Sequence, residues 1–359
     1  MRVVLLLLAS LVVGTALPFV REPYWWVREP YWWVRVFDFP RLQIAVLGLV
    51  VLGLYLWHVR RERGYYRRKY DAVVLALLVA ALGVQAWRIA PYTPVYPVQS
   101  VRADAPEPGR SFRLVVSNVL MENRYGQRWL REIRAAEPDL VVMLEPDAWW
   151  IEQAQPLRRE LPHALEHPLD NTYGIALYSR FPLLDVEVRE VVEDSIPSIW
   201  GAFRLPAGDV VHFAFVHPRP PRPGSDTDER DAELVLVARS VENHDGPLLV
   251  AGDLNDVAWS YTTTLFQETS GLLDPRVGRG FYSTYHAAYP FLRWPLDYVF
   301  HSEHLALVEM RRLGRAQSDH FPILAELALA PEAPAAQDAP DAEPADREAA
   351  REILDEARD

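Results

Sequence analysis

The stretch "PLLVAGDLND" (residues 247–256) decides how this chain is read. Four apolar residues and a glycine run straight into Asp253, Leu254, Asn255 and Asp256. A short apolar run of this kind suits a strand buried on both faces. If the extended geometry continues past Gly252, Asp253 and Asn255 point to one side, Leu254 turns back to the core, and Asp256 faces away from the pair. The strand then ends by presenting an acid and an amide.

The same pattern recurs on both sides of it. "FRLVVSNVL" (112–120), "LVVMLEPD" (140–147), "YGIALYSRFPL" (173–183), "VVHFAFVHPRPP" (210–221) and "PLDYVFHS" (295–302) read as further strands. "RWLREIRAAEPD" (128–139) carries Leu130 and Ile133 at helical spacing, and "ERDAELVLVARSVENHD" (229–245) reads as a helix between two strands. This is an α/β pattern. Asn118, Glu145, His217, Asp253 with Asn255, and Asp297 lie at the ends of these strands, and Asp319 and His320 follow in a last turn before "FPILAEL". Strand ends are where α/β folds place their binding sites.

Each residue has a structural explanation of its own: Asn118 a turn, Glu145 a solvated acid, His217 a surface imidazole, Asp253 and Asn255 an Asx turn, Asp297 a surface acid. Together they are harder to dismiss, because buried acids need partners. The chemistry such a set can perform is metal-assisted phosphoester hydrolysis. Oxygen donors suit Mg²⁺ or Mn²⁺, and Asn118, Glu145 and Asp319 can hold the ion. Asp253 can orient or deprotonate a water that Asn255 fixes. His320, held by Asp297, can stabilise charge on a phosphate oxygen, with His217 a second donor. His163 and His167, between two prolines that break the helix needed to align them, read as non-ligands, and His301 and His304 read as surface residues.

"SNVL", "LEPD", "YGIALYSRFP", "FVHPRPP", "AGDLND", "PLDYVF" and "SDHFP" occur in an order that resembles the endonuclease/exonuclease/phosphatase superfamily, over about residues 110–328. The resemblance implies a four-layer α/β sandwich of two mixed β-sheets flanked by helices. It implies that Asn118 and Glu145 belong to the metal site, that Asp253 and Asn255 position the nucleophile, and that Asp297 supports the last histidine. It also makes Asp319 metal-linked, His320 phosphate-binding and His217 the mid-domain histidine. One departure is "LEPD" where many members read "LQE".

The N-terminal part has a different character. Residues 1–103 carry 13 Lys+Arg against 5 Asp+Glu, whereas residues 104–330 carry 21 Arg against 34 Asp+Glu, a contrast that predicts two environments. Three apolar stretches, about 3–20, 42–57 and 72–90, predict an N-terminal three-helix transmembrane region that ties the chain to a lipid bilayer. The loop "HVRRERGYYRRKY" is the most basic, which predicts a cytoplasmic N-terminus and a periplasmic catalytic domain at a bacterial inner membrane. The tandem "REPYWWVREPYWWV" (21–34) reads as an aromatic belt at the headgroup level. Residues 91–109 read as a Pro-rich linker, 110–330 as the catalytic domain, and 331–359 as a disordered acidic tail with a short helix near Arg347 to Ala357.

The chain has no cysteine, which excludes disulfides and thiolate metal sites. The acidic balance disfavours a long-footprint nuclease, which neutralises many phosphates with basic side chains. The expected partner is a phosphoester: a lipid, a small molecule or nucleic acid. A nuclease acting on DNA or RNA is one alternative. A membrane-tethered binding module that has lost turnover is another.

Overall fold

The computed structural model describes residues 2–19, 31–61, 67–330 and 332–357. The chain divides into two compact units, one of residues 1–96 with 221–227 and one of 97–220 with 228–359.

The first unit is helical. It comprises α1 (Arg2–Ala16), the single turn α2 (Trp32–Arg35), α3 (Arg41–Arg61) and α4 (Arg67–Ile89). Leu8, Leu11, Val51, Tyr55, Leu78 and Ala81 form its apolar seam. Gly48 permits the close approach, since a Cβ there would lie 2.8 Å from Leu82. Among the described residues, polar links that cross the bundle include Gln85 Nε2 to Thr15 Oγ1 at 2.9 Å and Tyr55 Oη to Asp71 Oδ1 at 2.7 Å. Among the described residues two helices, Arg41–Arg61 and Tyr70–Tyr92, are long and apolar enough to cross a membrane. The first expected span is described as α1, 15 residues, followed by a 3-10 turn at Leu17–Phe19; as described it is shorter than the roughly 20 residues a bilayer needs. Most of the tandem aromatic repeat lies outside the described residues; of its six aromatic side chains Tyr31, Trp32 and Trp33 fall within them.

The second unit is an α/β sandwich. One sheet has six strands in the order β10-β11-β1-β2-β4-β3 and the other five in the order β5-β6-β7-β8-β9. The strands are β1 (Ser111–Asn118), β2 (Leu140–Leu144), β3 (His163–His167), β4 (Ile175–Ser179), β5 (Leu183–Glu190), β6 (Pro197–Arg204), β7 (Val210–Val216), β8 (Leu248–Asp253), β9 (Asp297–His301), β10 (Leu305–Arg312) and β11 (Ile323–Leu329). Each sheet contains one parallel pair, β1 with β2 and β7 with β8; the other pairings are antiparallel. Parallel neighbours need a crossover. Here helix α5 (Gly126–Ala135) joins the first pair and α7 (Asp228–Val241) the second.

Strand alternation sorts the side chains into layers. Leu114 and Val116 of β1, Val142 and Leu144 of β2, Phe213 and Phe215 of β7, Leu249 and Ala251 of β8, and Val299 of β9 fill the space between the sheets. Val115, Val141 and Met143 point the other way, onto Trp129, Leu130 and Ile133 of α5 and Trp150 of α6 (Ala148–Ala154). On the outer side of the second sheet, α7 packs with α8 (Tyr261–Ser270) and α9 (Pro344–Glu356).

Three details differ from the sequence reading. The stretch expected to be a free linker is partly built into the sandwich. Ala103 N donates to the Leu307 carbonyl and Leu307 N to the Val101 carbonyl, and Gln99 Oε1 accepts from Gln267 Nε2 and Asp274 N. His301 is fully buried, its ring held between Ser100 Oγ and the Ser302 carbonyl at 2.8 Å each. The tail, expected to be disordered but for a short helix near Arg347 to Ala357, carries that helix as α9, and the helix is docked: its Ala350 and Leu354 pack on Ala232, Val235 and Leu265. Its few apolar residues recur at helical spacing on one face, which is enough to dock a helix that could not form a core alone.

Candidate active site

Asn118, His217, Asp253 and Asp297 share one origin. Each has the parity of the inter-sheet residues of its strand, so each points into the gap where the apolar filling stops. Asn118 closes β1 and Asp253 closes β8, while Glu145 follows β2 and His217 follows β7. The four therefore stand at the C-terminal ends of the two parallel pairs, the end at which α/β sheets expose ligand sites.

Two close approaches fix this end. A Cβ on Gly252 would lie 1.9 Å from the Val216 carbonyl oxygen, so "AGD" needs its glycine to let β8 meet β7. A Cβ on Gly174 would lie 2.0 Å from the Pro146 carbonyl, which explains the glycine of "YGIALYS" next to Glu145. Glu145 itself has φ 64, a left-handed conformation unusual for a non-glycine residue. That turn redirects a side chain whose strand parity would otherwise carry it outward.

Asn118 bridges two acids. Its Nδ2 donates to Glu145 Oε1 at 2.8 Å and to Asp253 Oδ2 at 3.2 Å, while its Oδ1 accepts from Leu120 N at 3.0 Å. Glu145 Oε2 also accepts from Met121 N. Burial pushes the Glu145 carboxyl above its ordinary pKa, Asn118 and His320 oppose this, and Asp319 adds to it. His217 Nε2 lies 3.9 Å from both Glu145 Oε1 and Asp253 Oδ2, with the Tyr173 ring 5.6 Å from its own.

His320 is the other centre. Its Nδ1 donates to Asp297 Oδ2 at 2.8 Å, which turns Nε2 to within 3.4 Å of Asp253 Oδ2. Burial works against a charge on this ring, but the carboxylates of Asp297, Asp253 and Asp319 outweigh it and raise its pKa. Burial raises Asp253 as well, His320 countering it and Asp297 adding to it. Ser318 fixes the turn: its Oγ donates to the Asn118 carbonyl at 2.8 Å and accepts from His320 N at 3.0 Å. Asp319 is half-buried, with Ser318 Oγ 3.3 Å from its Oδ1.

The opening stretch does not continue as a strand. β8 ends at Asp253, Asn255 has φ 53, and Asp253 Oδ1 accepts from Asn255 N at 2.9 Å, forming an Asx turn. Asn255 Nδ2 donates to the Pro218 carbonyl at 2.9 Å, tying the end of β8 to the residue after His217. Asp256 is buried rather than outward-facing. It accepts from Val257 N and Ser260 Oγ and lies 3.4 Å from Arg230.

Hydrogen bonds and ion-pair-range contacts thus connect Asn118, Glu145, His217, Asp253, Asp297 and His320. Asn255 joins through its turn with Asp253, and Asp319 neighbours Glu145 electrostatically. Ser318, Tyr173 and the Tyr285 ring, 4.9 Å from that of His320, were not singled out by the sequence. Ser318 was legible as the first residue of "SDH"; the tyrosines carry no distinguishing local signal. Arg219, two residues after His217, pairs with Glu193 through Nε at 2.9 Å and through Nη2.

No curated protein matches this chain. Among solved structures, zebrafish TDP2 complexed with a single-strand DNA product superposes with TM-score 0.52 at 15% identity, over 60% of this chain and 98% of that one. The human Nocturnin catalytic domain with a bound sulfate gives 0.51 at 19% identity, over 63% and 96%. A Bacteroides thetaiotaomicron endonuclease/exonuclease/phosphatase family protein gives 0.50 at 16%, over 64% and 98%. These likenesses show a shared sandwich. The family itself follows from the sequence profile, which matches residues 115–320 and so runs from within β1 to His320: this chain belongs to the endonuclease/exonuclease/phosphatase family.

Proposed function

We propose that this protein is a membrane-anchored, divalent-metal-dependent hydrolase of a phosphodiester or phosphomonoester. The observation that carries the reading is the buried arrangement in which Asn118 links Glu145 to Asp253 while Asp297 supports His320.

The donor set fits a hard cation. Glu145 is an acid strained by burial and by a neighbouring Asp319, and oxygen donors of this kind suit Mg²⁺ or Mn²⁺. Glu145, with Asn118 and Asp319, would hold it. Asp253, Asp297 and His320 also lie close enough together to share an ion, with one ligand atom of each within 4.8 Å of the others. We assign that trio to proton handling, because Asp297 already occupies His320 Nδ1. When bound, the cation supplies positive charge for the phosphate and leaving-group oxygens.

The chain's own residues do the rest. Asp253, with its pKa raised, takes the proton of a water whose position Asn255 fixes; the Asn255 amide nitrogen is committed to Pro218, which leaves its oxygen as the acceptor. His320 stays protonated and donates Nε2–H to a non-bridging phosphate oxygen. His217 adds a second donor. Asp297 holds the His320 ring and its charge.

Anchoring rests on α3 and α4. Only 17% and 22% of their apolar windows are buried, whereas a core helix of a globular unit would be mostly covered. Val46, Leu49, Val50, Val73, Val79 and Trp87 stand exposed on them. Tethering and the acidic balance of residues 104–330 favour a lipid or small phosphoester over a long nucleic acid.

The test uses the full chain in detergent micelles with Mg²⁺. It should release nitrophenol from bis-p-nitrophenyl phosphate, and Asp253→Asn should not. A panel of phospholipid vesicles and DNA then ranks substrates. Equal inertness of wild type and variant across phosphodiesters and phosphomonoesters would favour the binding-module alternative.

A further inference from the structure

A second cluster of ligating side chains lies away from the catalytic strand ends. His212 stands on β7 two residues after its start, and its backbone pairs with Ala202 of β6 and Leu248 of β8. Parity turns it outward, since Phe213 and Phe215 face the inter-sheet core. His244 sits in the connection from α7 to β8, held by a bond from its N–H to the Val241 carbonyl at 3.0 Å. Because β7 and β8 are parallel, this connection returns to the N-terminal end of β7 and lays the two rings together. Their centres are 4.5 Å apart and their planes tilted by 58°.

His244 Nε2 is buried and makes no hydrogen bond. A buried ring nitrogen without a partner is costly. Among the described residues none offers it a hydrogen bond. Both rings line a cavity of about 310 Å³ with Asp185, Ser240 and Trp200. The cavity gives a ligand a route in and leaves room for water beside it.

We propose that His212 and His244 form a chelating pair for a first-row transition-metal ion such as Zn²⁺, Ni²⁺ or Cu²⁺, separate from the catalytic centre. Imidazole nitrogens suit these ions, whereas the oxygen-rich catalytic cluster suits Mg²⁺ or Mn²⁺. Rings at this separation can bring one nitrogen from each within roughly 3–3.5 Å, the spacing of two donors on a tetrahedral ion with bonds of ~2.0 Å. Water from the cavity completes the coordination. Bound there, the ion clips the end of α7 to the start of β7 and stabilises the folded state by mass action.

The test uses the full chain in detergent with Mg²⁺ in large excess, and Zn²⁺ as the probe. Equilibrium dialysis should find one more bound Zn²⁺ per chain in the wild type than in His212→Ala or His244→Ala. Micromolar Zn²⁺ should raise the wild-type melting temperature and leave both variants unmoved. Mg²⁺-supported hydrolysis should be the same in all three, since neither histidine touches the catalytic groups. Equal Zn²⁺ stoichiometry and equal thermal shifts in wild type and variants would overturn the proposal and leave the catalytic assignment standing.

Discussion

His320 and Asp297 are 2.8 Å apart, Nδ1 to Oδ2, although 23 residues separate them in sequence. The bond joins the turn before β11 to the first residue of β9, and so ties the two sheets together at the site. Replacing Asp297 by Asn keeps the shape and removes the charge that holds a proton on His320. Hydrolysis should fall by about 10²–10⁴-fold, the range for losing a positioned proton donor or its support. The loss should be in kcat with KM little changed. A kcat within a factor of two of wild type would remove Asp297 from the machinery.

Asp253 and Asp256, three residues apart, should behave oppositely. Burial raises the Asp253 pKa in the folded protein. Its contribution to stability is therefore present in acid and is lost as pH rises through the folded value. Asp253→Asn removes that loss. The variant should be inactive with Mg²⁺, yet in EDTA at neutral pH it should be at least as stable as wild type. Asp256 instead accepts from Val257 N and Ser260 Oγ. Asp256→Ala should cost about 1–3 kcal/mol per donor left unmatched, read from denaturant midpoints.

The strands that hold the site were legible because they are buried on both faces and therefore uniformly apolar, as "LLVAG" and "LVVML" are. β3, β5, β6, β10 and β11 were not read as strands. "LLDVEVRE" and "LALVEMRR" are partly solvated and mix charge into the strand, and β6 carries Pro197 and Gly201. The identity of the site residues was readable; their geometry was not. Asp253 and Asn255 work together through an Asx turn rather than through strand alternation, a choice made by the left-handed backbone at Asn255. Tyr173 and Tyr285 depend on long-range contacts that no local pattern encodes.

His301 predicts acid sensitivity. Burial lowers its pKa to about 4, against 6.5 for the exposed ring. Between these values the unfolded chain binds a proton that the folded chain refuses, so stability falls as pH drops through this window. The interval corresponds to about 3 kcal/mol. His301→Gln should flatten this part of the stability profile, seen as urea midpoints at pH 7 and pH 4.5 that lie closer together than in wild type. An unchanged difference would show that other groups govern acid unfolding.

The C-terminal helix gives the last prediction. Ala350 and Leu354 of α9 lie against Ala232, Val235 and Leu265, on the outer side of α7 and α8 and away from the strand ends that carry the chemistry. Deleting residues 338–359 keeps Gln337, whose side chain accepts from Val101 N and donates to the carbonyls of Glu303 and Leu305. The deletion uncovers the apolar patch. Fully burying one leucine-sized side chain is worth about 1.5–3 kcal/mol, so the truncated chain should lose about 2–4 kcal/mol. Its kcat should not change at temperatures where it stays folded. Proteolysis should also cut α8 sooner, because its outer face has lost its cover. An unchanged melting temperature would mean that the helix does not dock in solution and that the acidic, alanine-rich composition prevails over its single apolar stripe.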